Sequence, residues 1–234
     1  MRDAAPGEAH QGRILLWDIP ARVTHWGFSL SLSLALWLGF KTDPENALFK
    51  YHMLAGILAG WFLFLRICLG FVGTRPLRWR QFFYGPMAVL RYLKAALGWQ
   101  RVDHAGLNPG SAAFALAIYL VLVALIWSGF VADLAETWHG RLAWGALGLI
   151  GAHLLGLTLH SLRHRELTPL AMVHGKIRGS AKDAISSQRA LGGMALLVAS
   201  LAVSWLLWRG FDEPSSTLKL PLLPEIAFPM MLRG

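Results

Sequence analysis

Four histidines have the residue type and the spacing to do chemistry together: His25 in VTHWGF, His52 in KYHMLAG, His139 in TWHGRLAWG and His153 in IGAHLLGL. Each lies on or at the edge of a long apolar stretch. An ionisable ring in or near hydrocarbon is costly, so its presence on several apolar spans marks a functional site, and neutral imidazole is an axial ligand of haem iron. Two pairs of such ligands would hold two haems.

The elements that must position them are apolar segments at 24–40, 53–73, 112–132, 140–161 and 191–208. Each is near the ~20 residues that a helix needs to cross ~30 Å of hydrocarbon. Five membrane spans are expected, the first preceded by IPARVTHW, where Pro20 suits a first helical turn. GPMAVLRYLKAALG, between the second and third spans, alternates apolar and basic residues at helical spacing. It is expected to lie in the headgroup layer as an amphipathic helix.

Depth along these helices sorts the histidines. His52 and His139 open the second and fourth spans at the outer side, and His25 opens the first at the inner side. His153 follows His139 by fourteen residues, about 21 Å deeper and only about 40° around the same helix. The pairs are therefore His52 with His139 and His25 with His153. His160 shares nearly the face of His153 but falls about 31 Å from His139, close to Arg163 and past the inner apolar boundary. It is expected to meet a propionate, a quinone or solvent. His10, His104, His164 and His174 fall in polar connections and read as surface residues. Gly56 with Gly60, and Gly145, Gly148, Ala152 and Gly156, have spacings that allow close helix packing or the approach of a flat macrocycle.

Composition agrees with lipid as the solvent. The chain is 55% hydrophobic and 15% charged, so its apolar side chains do not fit one water-soluble core. The net charge of +9 lies beside apolar runs rather than in one patch, which argues for topology and against nucleic acid. Cys68 is the single cysteine, which excludes an intramolecular disulfide and a multi-cysteine metal site. MRDAAPGEAHQGR has no signal-peptide apolar core. Basic residues concentrate in the N-terminus, the second-to-third connection and the fourth-to-fifth connection, so the N-terminus is expected in the cytoplasm and the C-terminal tail outside. That tail, EPSSTLKLPLLPEIAFPMMLRG, is proline-rich and reads as extended, along a partner or the outer membrane surface.

The ordered series WDIPARVTHW, HMLAGILAGWFLFLRICLGFVGTRPLRW, GPMAVLRYL and WHGRLAWGALGLIGAHLLGLTLHSLRHREL resembles the bacterial cytochrome b561 family of di-haem membrane cytochromes, which includes relatives of the nickel-iron hydrogenase cytochrome b subunit. The resemblance covers roughly residues 14–175. It implies axial ligands at His25, His52, His139 and His153, in agreement with the depth pairs. The fold class expected is an all-α integral membrane protein, a four-helix haem-binding bundle plus a fifth C-terminal transmembrane helix. Residues 1–175 would form the di-haem core, and 176–234 the connecting segment, fifth helix and periplasmic tail. The cofactors expected are two haem b, held noncovalently because no CxxCH attachment motif is present. Arg22, Arg66 and Arg163, near the inner helix ends, are candidates for pairing with propionates of the inner haem.

With two histidines on each iron, the function expected is electron transfer. The resemblance implies a quinone as the lipid-soluble carrier in the bacterial inner membrane, and the tail on the outer face favours exchange with a periplasmic c-type cytochrome or dehydrogenase. Alternatives are a stand-alone superoxide:quinone oxidoreductase and a hydrogenase-type cytochrome b subunit. A membrane scaffold or transporter without haem is a separate class, which an absorbance spectrum of the purified protein distinguishes.

Overall fold

Asp18 starts the first helix. The Ala21 amide donates to its Oδ1 at 2.9 Å, and Pro20, whose ring presets the helical φ, stands in the first turn. Helix α1 (Ile19–Lys41) therefore begins before the apolar segment expected from residue 24. The computed structural model describes residues 12–98, 107–131, 135–212, 217–221 and 224–227. Helix α2 (Phe49–Val72) returns and stops at Gly73. Two 3₁₀ turns, Arg75–Leu77 and Trp79–Gln81, lead into the amphipathic helix α3 (Pro86–Leu97). On α3, Met87, Leu90, Leu93 and Leu97 stand exposed, as expected of a helix lying in an interface.

Asn108 caps helix α4 (Pro109–Phe130) by accepting the Ser111 amide at 2.7 Å. A π-helical turn, Ala135–His139, then runs into helix α5 (Gly140–His164). Helix α6 (Ala190–Gly210) completes the five helices among the described residues that are long and apolar enough to cross a membrane. They have 21 to 28 residues, enough for ~30 Å of hydrocarbon at 1.5 Å per residue. This is an all-α membrane protein.

The central core joins α1, α2, α4 and α5 through Leu32, Leu36, Ala59, Leu63, Leu122, Leu125, Ala143 and Ala146. Helix α6 lies outside it, against α1 and α2. The Trp61 indole donates to Ser200 Oγ at 3.0 Å, Tyr51 stacks on Trp208, and Gly193 fits against Ile19 with no room for a Cβ. The Arg189 guanidinium donates to the Val72 carbonyl at 3.2 Å, placing a cation at the negative end of α2.

Two small sheets were not expected. At the end of the bundle where α1 begins, β1 (Gly12–Leu15) pairs antiparallel with β2 (Lys176–Gly179), Gly12 opposite Gly179 and Leu15 opposite Lys176. Gly175, at φ +80°, turns the chain so that its carbonyl accepts from the amides of Leu16 and Trp17. The Trp26 indole donates to the Met172 carbonyl at 2.9 Å. The fourth-to-fifth connection is thus laced to the first turns of α1.

After α6, β3 (Phe211–Asp212), β4 (Thr217–Leu218) and β5 (Ile226–Ala227) form a three-stranded antiparallel sheet. The extended character expected of the tail holds for these strands. Leu218, with no exposed surface, packs on α2 and α6 of its own chain. The stretches 213–216, 222–223 and 228–234 of that tail lie outside the described residues, as does His104 in the second-to-third connection and His10 near the N-terminus.

Candidate functional site

His52 sits in the first turn of α2 and His139 closes the π turn ahead of α5, so both occupy one end of the bundle. Their ring centroids are 5.9 Å apart and their planes cross at 88°. The His52 Nδ1–H donates to the Ala35 carbonyl at 2.8 Å. Ser128 Oγ donates to the Leu125 carbonyl at 2.8 Å, which leaves the hydroxyl oxygen to accept from His139 Nδ1 at 3.0 Å. Both Nδ1 edges are therefore committed to neighbouring helices, and the Nε2 lone pairs are the ones left for a metal.

A cavity of about 460 Å³ surrounds the two rings. Its walls are apolar, with Leu32, Leu36, Gly56, Ile57, Ala143 and Trp144 among them. That size and lining suit a flat hydrophobic cofactor. Glycine makes room for each imidazole: a Cβ on Gly39 would come within 2.8 Å of the His52 ring, and one on Gly129 within 3.4 Å of the His139 ring.

The other two histidines meet toward the opposite end. His153 on α5 lies close enough to His25 on α1 to act on it electrostatically. His153 stacks on Phe114, centroids 5.7 Å apart and planes at 19°, while His25 stands edge-on to Trp26. Here His25 Nδ1 is buried without a hydrogen-bond partner among the described residues. Three arginines lie at this end. Arg22 donates through Nη1 to the Val173 carbonyl at 2.7 Å, with its Nε buried and unpaired among the described residues. The Arg66 guanidinium is ringed by Phe82, Trp79 and Tyr119 at 4.8, 5.6 and 5.7 Å, and its buried Nη1 finds no acceptor among them. Cation–π contact offsets only part of the cost of taking a guanidinium from water, about 0.5–2 kcal/mol, so a further acceptor is called for. Arg163 lies near Tyr92 of α3. Burial pushes the Tyr92 phenol up, while the nearby Arg163 charge and a hydrogen bond with Asn108 pull it down.

The depth pairs expected from helical rise are thus the pairs that the fold brings together. His160 joins neither. It stacks on His164, one helical turn later, with centroids 4.2 Å apart and planes at 24°. His174 is bonded to Arg13 Nη2 at 2.9 Å and accepts the Lys176 amide, so it serves the inner strand pair. Of the small residues singled out by spacing, Gly56 lines the cavity and Gly60 packs on Ile126, whereas Gly145, Gly148 and Gly156 face open space.

Sequence reasoning missed Ala35, Gly39, Ser128 and Gly129, the residues that hold the outer rings in place. No local signal distinguishes them from other small residues of apolar helices. The His52–His139 pair in an apolar cavity, with Arg22 Nε and Arg66 Nη1 buried and without acceptors among the described residues, fits haem, whose propionates supply acidic oxygens.

No curated protein and no solved structure gives a significant match to the chain. A family model, described as prokaryotic cytochrome b561, matches residues 16–175. That stretch includes all four paired histidines and ends at the glycine that turns the chain into β2, so this chain belongs to the prokaryotic cytochrome b561 family, membrane electron-transfer proteins that bind haem b.

Proposed function

We propose that this protein is a two-haem cytochrome b of the bacterial inner membrane that transfers electrons between the quinone pool and a periplasmic redox partner, a c-type cytochrome or a dehydrogenase. Residues 1–175 make the di-haem core, the N-terminus is cytoplasmic and the C-terminal tail periplasmic. The observation that supports this most is the presence of two imidazole pairs toward opposite ends of one bundle. Along α5, His139 and His153 are separated by about 21 Å of helical rise.

Haem b would supply one-electron exchange in such sites. His52 and His139 would hold the outer haem, and His25 and His153 the inner one. The bonds to Ala35 and Ser128 fix the tautomer and direction of the outer imidazoles. Arg22, Arg66 and Arg163 would pair with propionates at the inner end. Lipid bounds the apolar outer surface of the helices, and quinone reaches the protein through that phase.

Pyridine haemochrome analysis of the purified protein should return haem b at about two per chain, as four paired ligands require. A reproducible ratio near one removes one of the pairs. The glycines beside the outer rings give a second expectation. Gly39→Ala places a methyl group 2.8 Å from the His52 ring, which must swing away from the Ala35 carbonyl. That variant should lose most of the outer low-spin haem. Gly129→Ala meets His139 at only 3.4 Å and should keep it. Equal haem content in the two variants would show that the His52 ring position does not govern binding.

A stand-alone superoxide:quinone oxidoreductase is a second reading, and one observation favours it. The described part of the tail folds onto its own helices instead of standing free for a partner. Co-purification of an untagged redox partner from native membranes distinguishes the two readings, and would also identify a hydrogenase-type assembly.

A further inference from the structure

Both sequence neighbours of His52 are held from outside the bundle. Tyr51 stacks on Trp208 of α6, ring centroids 5.7 Å apart and planes at 26°. Met53 packs with Leu54, Ile57 and Leu58 against Leu207 at the end of α6 and Leu218 of β4. Leu207 is 4% exposed and Leu218 0%, so the contact is closed to solvent and lipid. Met53 and Ile57 also line the cavity around His52 and His139. One wall of the outer cavity is therefore also the surface on which the C-terminal segment rests.

The strand that carries Leu218 is itself tied down. The Lys219 amide donates to the Gly210 carbonyl at 2.9 Å, and Gly210 lies so close to the Lys219 carbonyl that no Cβ fits between them. Lys219 Nζ lies 3.9 Å from Asp212 and 3.6 Å from Glu225, two exposed pairs of small energetic weight. Further along α2, the Trp61 indole bond to Ser200 fixes the helix at a second point, two turns beyond Met53. Successive residues on a helix point about 100° apart, so gripping Tyr51 and Met53 sets the rotation of the turn between them. That rotation aims His52 across the bundle at Ala35 and His139.

The geometry points to an intramolecular clamp: α6 and the β3–β4–β5 sheet position His52 and the adjoining cavity wall, and so tune the outer haem site from a region outside the matched family segment. Leu218 is a positioning residue in this scheme. It touches neither the cavity nor the histidines and acts through Met53 and Ile57. The inference rests on His52 and His139 holding a haem.

The test uses full-length holoprotein with Leu218→Asp, and Leu218→Ile as the conservative control. Loosening the support of a ligand typically costs ten- to a hundredfold in affinity. Leu218→Asp should speed loss of the outer haem to an apo-haem acceptor by about that factor and shift the outer low-spin electron paramagnetic resonance signal. Leu218→Ile should restore both, and the inner signal should stay unchanged in each variant. An unaltered outer signal and loss rate, or equal loosening of both haems, overturns the clamp and leaves the tail a general stabiliser. Hydrogen exchange at the amides of residues 50–58 reads the same contact without relying on haem. Leu218→Asp should reduce protection there, and unchanged protection overturns the clamp. A wild-type protein carrying no outer haem would refute the haem reading on its stoichiometry, separately from the exchange result.

Discussion

His153→Ala is expected to leave the inner haem with a single axial histidine, so that it becomes high-spin or is lost, while the outer haem keeps its low-spin spectrum. Helical rise sets the separation behind this selectivity: His153 lies about 21 Å along α5 from His139. His153 sits beside His25 and stacks on Phe114. His160 is the residue to compare. It shares nearly the same helix face but lies about 10 Å further toward the inner end, where it stacks on His164. His160→Ala should retain two low-spin haems, with at most a shift in the potential of the inner one. Reduced-minus-oxidised spectra and electron paramagnetic resonance provide the comparison. If His160→Ala loses a haem and His153→Ala does not, the inner pair becomes His25 with His160.

The outer pair gives the second large effect. His52→Ala and His139→Ala should each abolish the outer low-spin signal and leave the inner one in place. The wild-type outer signal itself has an expected form, since imidazole planes crossed near a right angle around low-spin ferric iron produce strong anisotropy, and the two rings cross at 88°. Ser128→Ala tests what holds that angle. The hydroxyl is buried and accepts from His139 Nδ1, yet the Leu125 carbonyl stands close enough to take over as acceptor. The variant should therefore keep the outer haem, bind it about ten- to a hundredfold more weakly, and show a changed anisotropy as the ring turns toward Leu125. An unchanged signal in Ser128→Ala would mean that the π turn alone orients His139.

Much of this arrangement was legible in the residues because it depends on local rules. Twenty or so apolar residues between polar connections mark a span wherever they occur, and the five expected segments correspond to α1, α2, α4, α5 and α6. GPMAVLRYLKAALG became the amphipathic helix α3 because its apolar positions follow the helical period. A rise of 1.5 Å per residue converts sequence separation into depth, and depth was sufficient to match His52 with His139 and His25 with His153. The start of α1 was less legible. Asp18 and Pro20 set it by capping and φ preference, whereas hydropathy marks only where apolar residues accumulate.

The remainder required the fold. Ala35 and His52 are 17 positions apart, on two helices, and nothing in the apolar pattern of α1 distinguishes the carbonyl that receives the imidazole from those a turn away. Gly39 and Gly129 matter because rings from other elements press against them, a property of interhelical distance rather than of glycine in a helix. Strands β1 and β2 join residues more than a hundred and fifty positions apart, and four-residue segments carry too little alternation to announce such a partner. The described strands of the tail are extended as expected, but the docking of Leu218 beside Met53 and Ile57 depends on shape matching between distant side chains. Hydrophobicity and helical rise act along the chain and can be read there. The direction of a hydrogen bond, the room beside a ring and the seat of a strand arise between chain segments, and only their packing decides them.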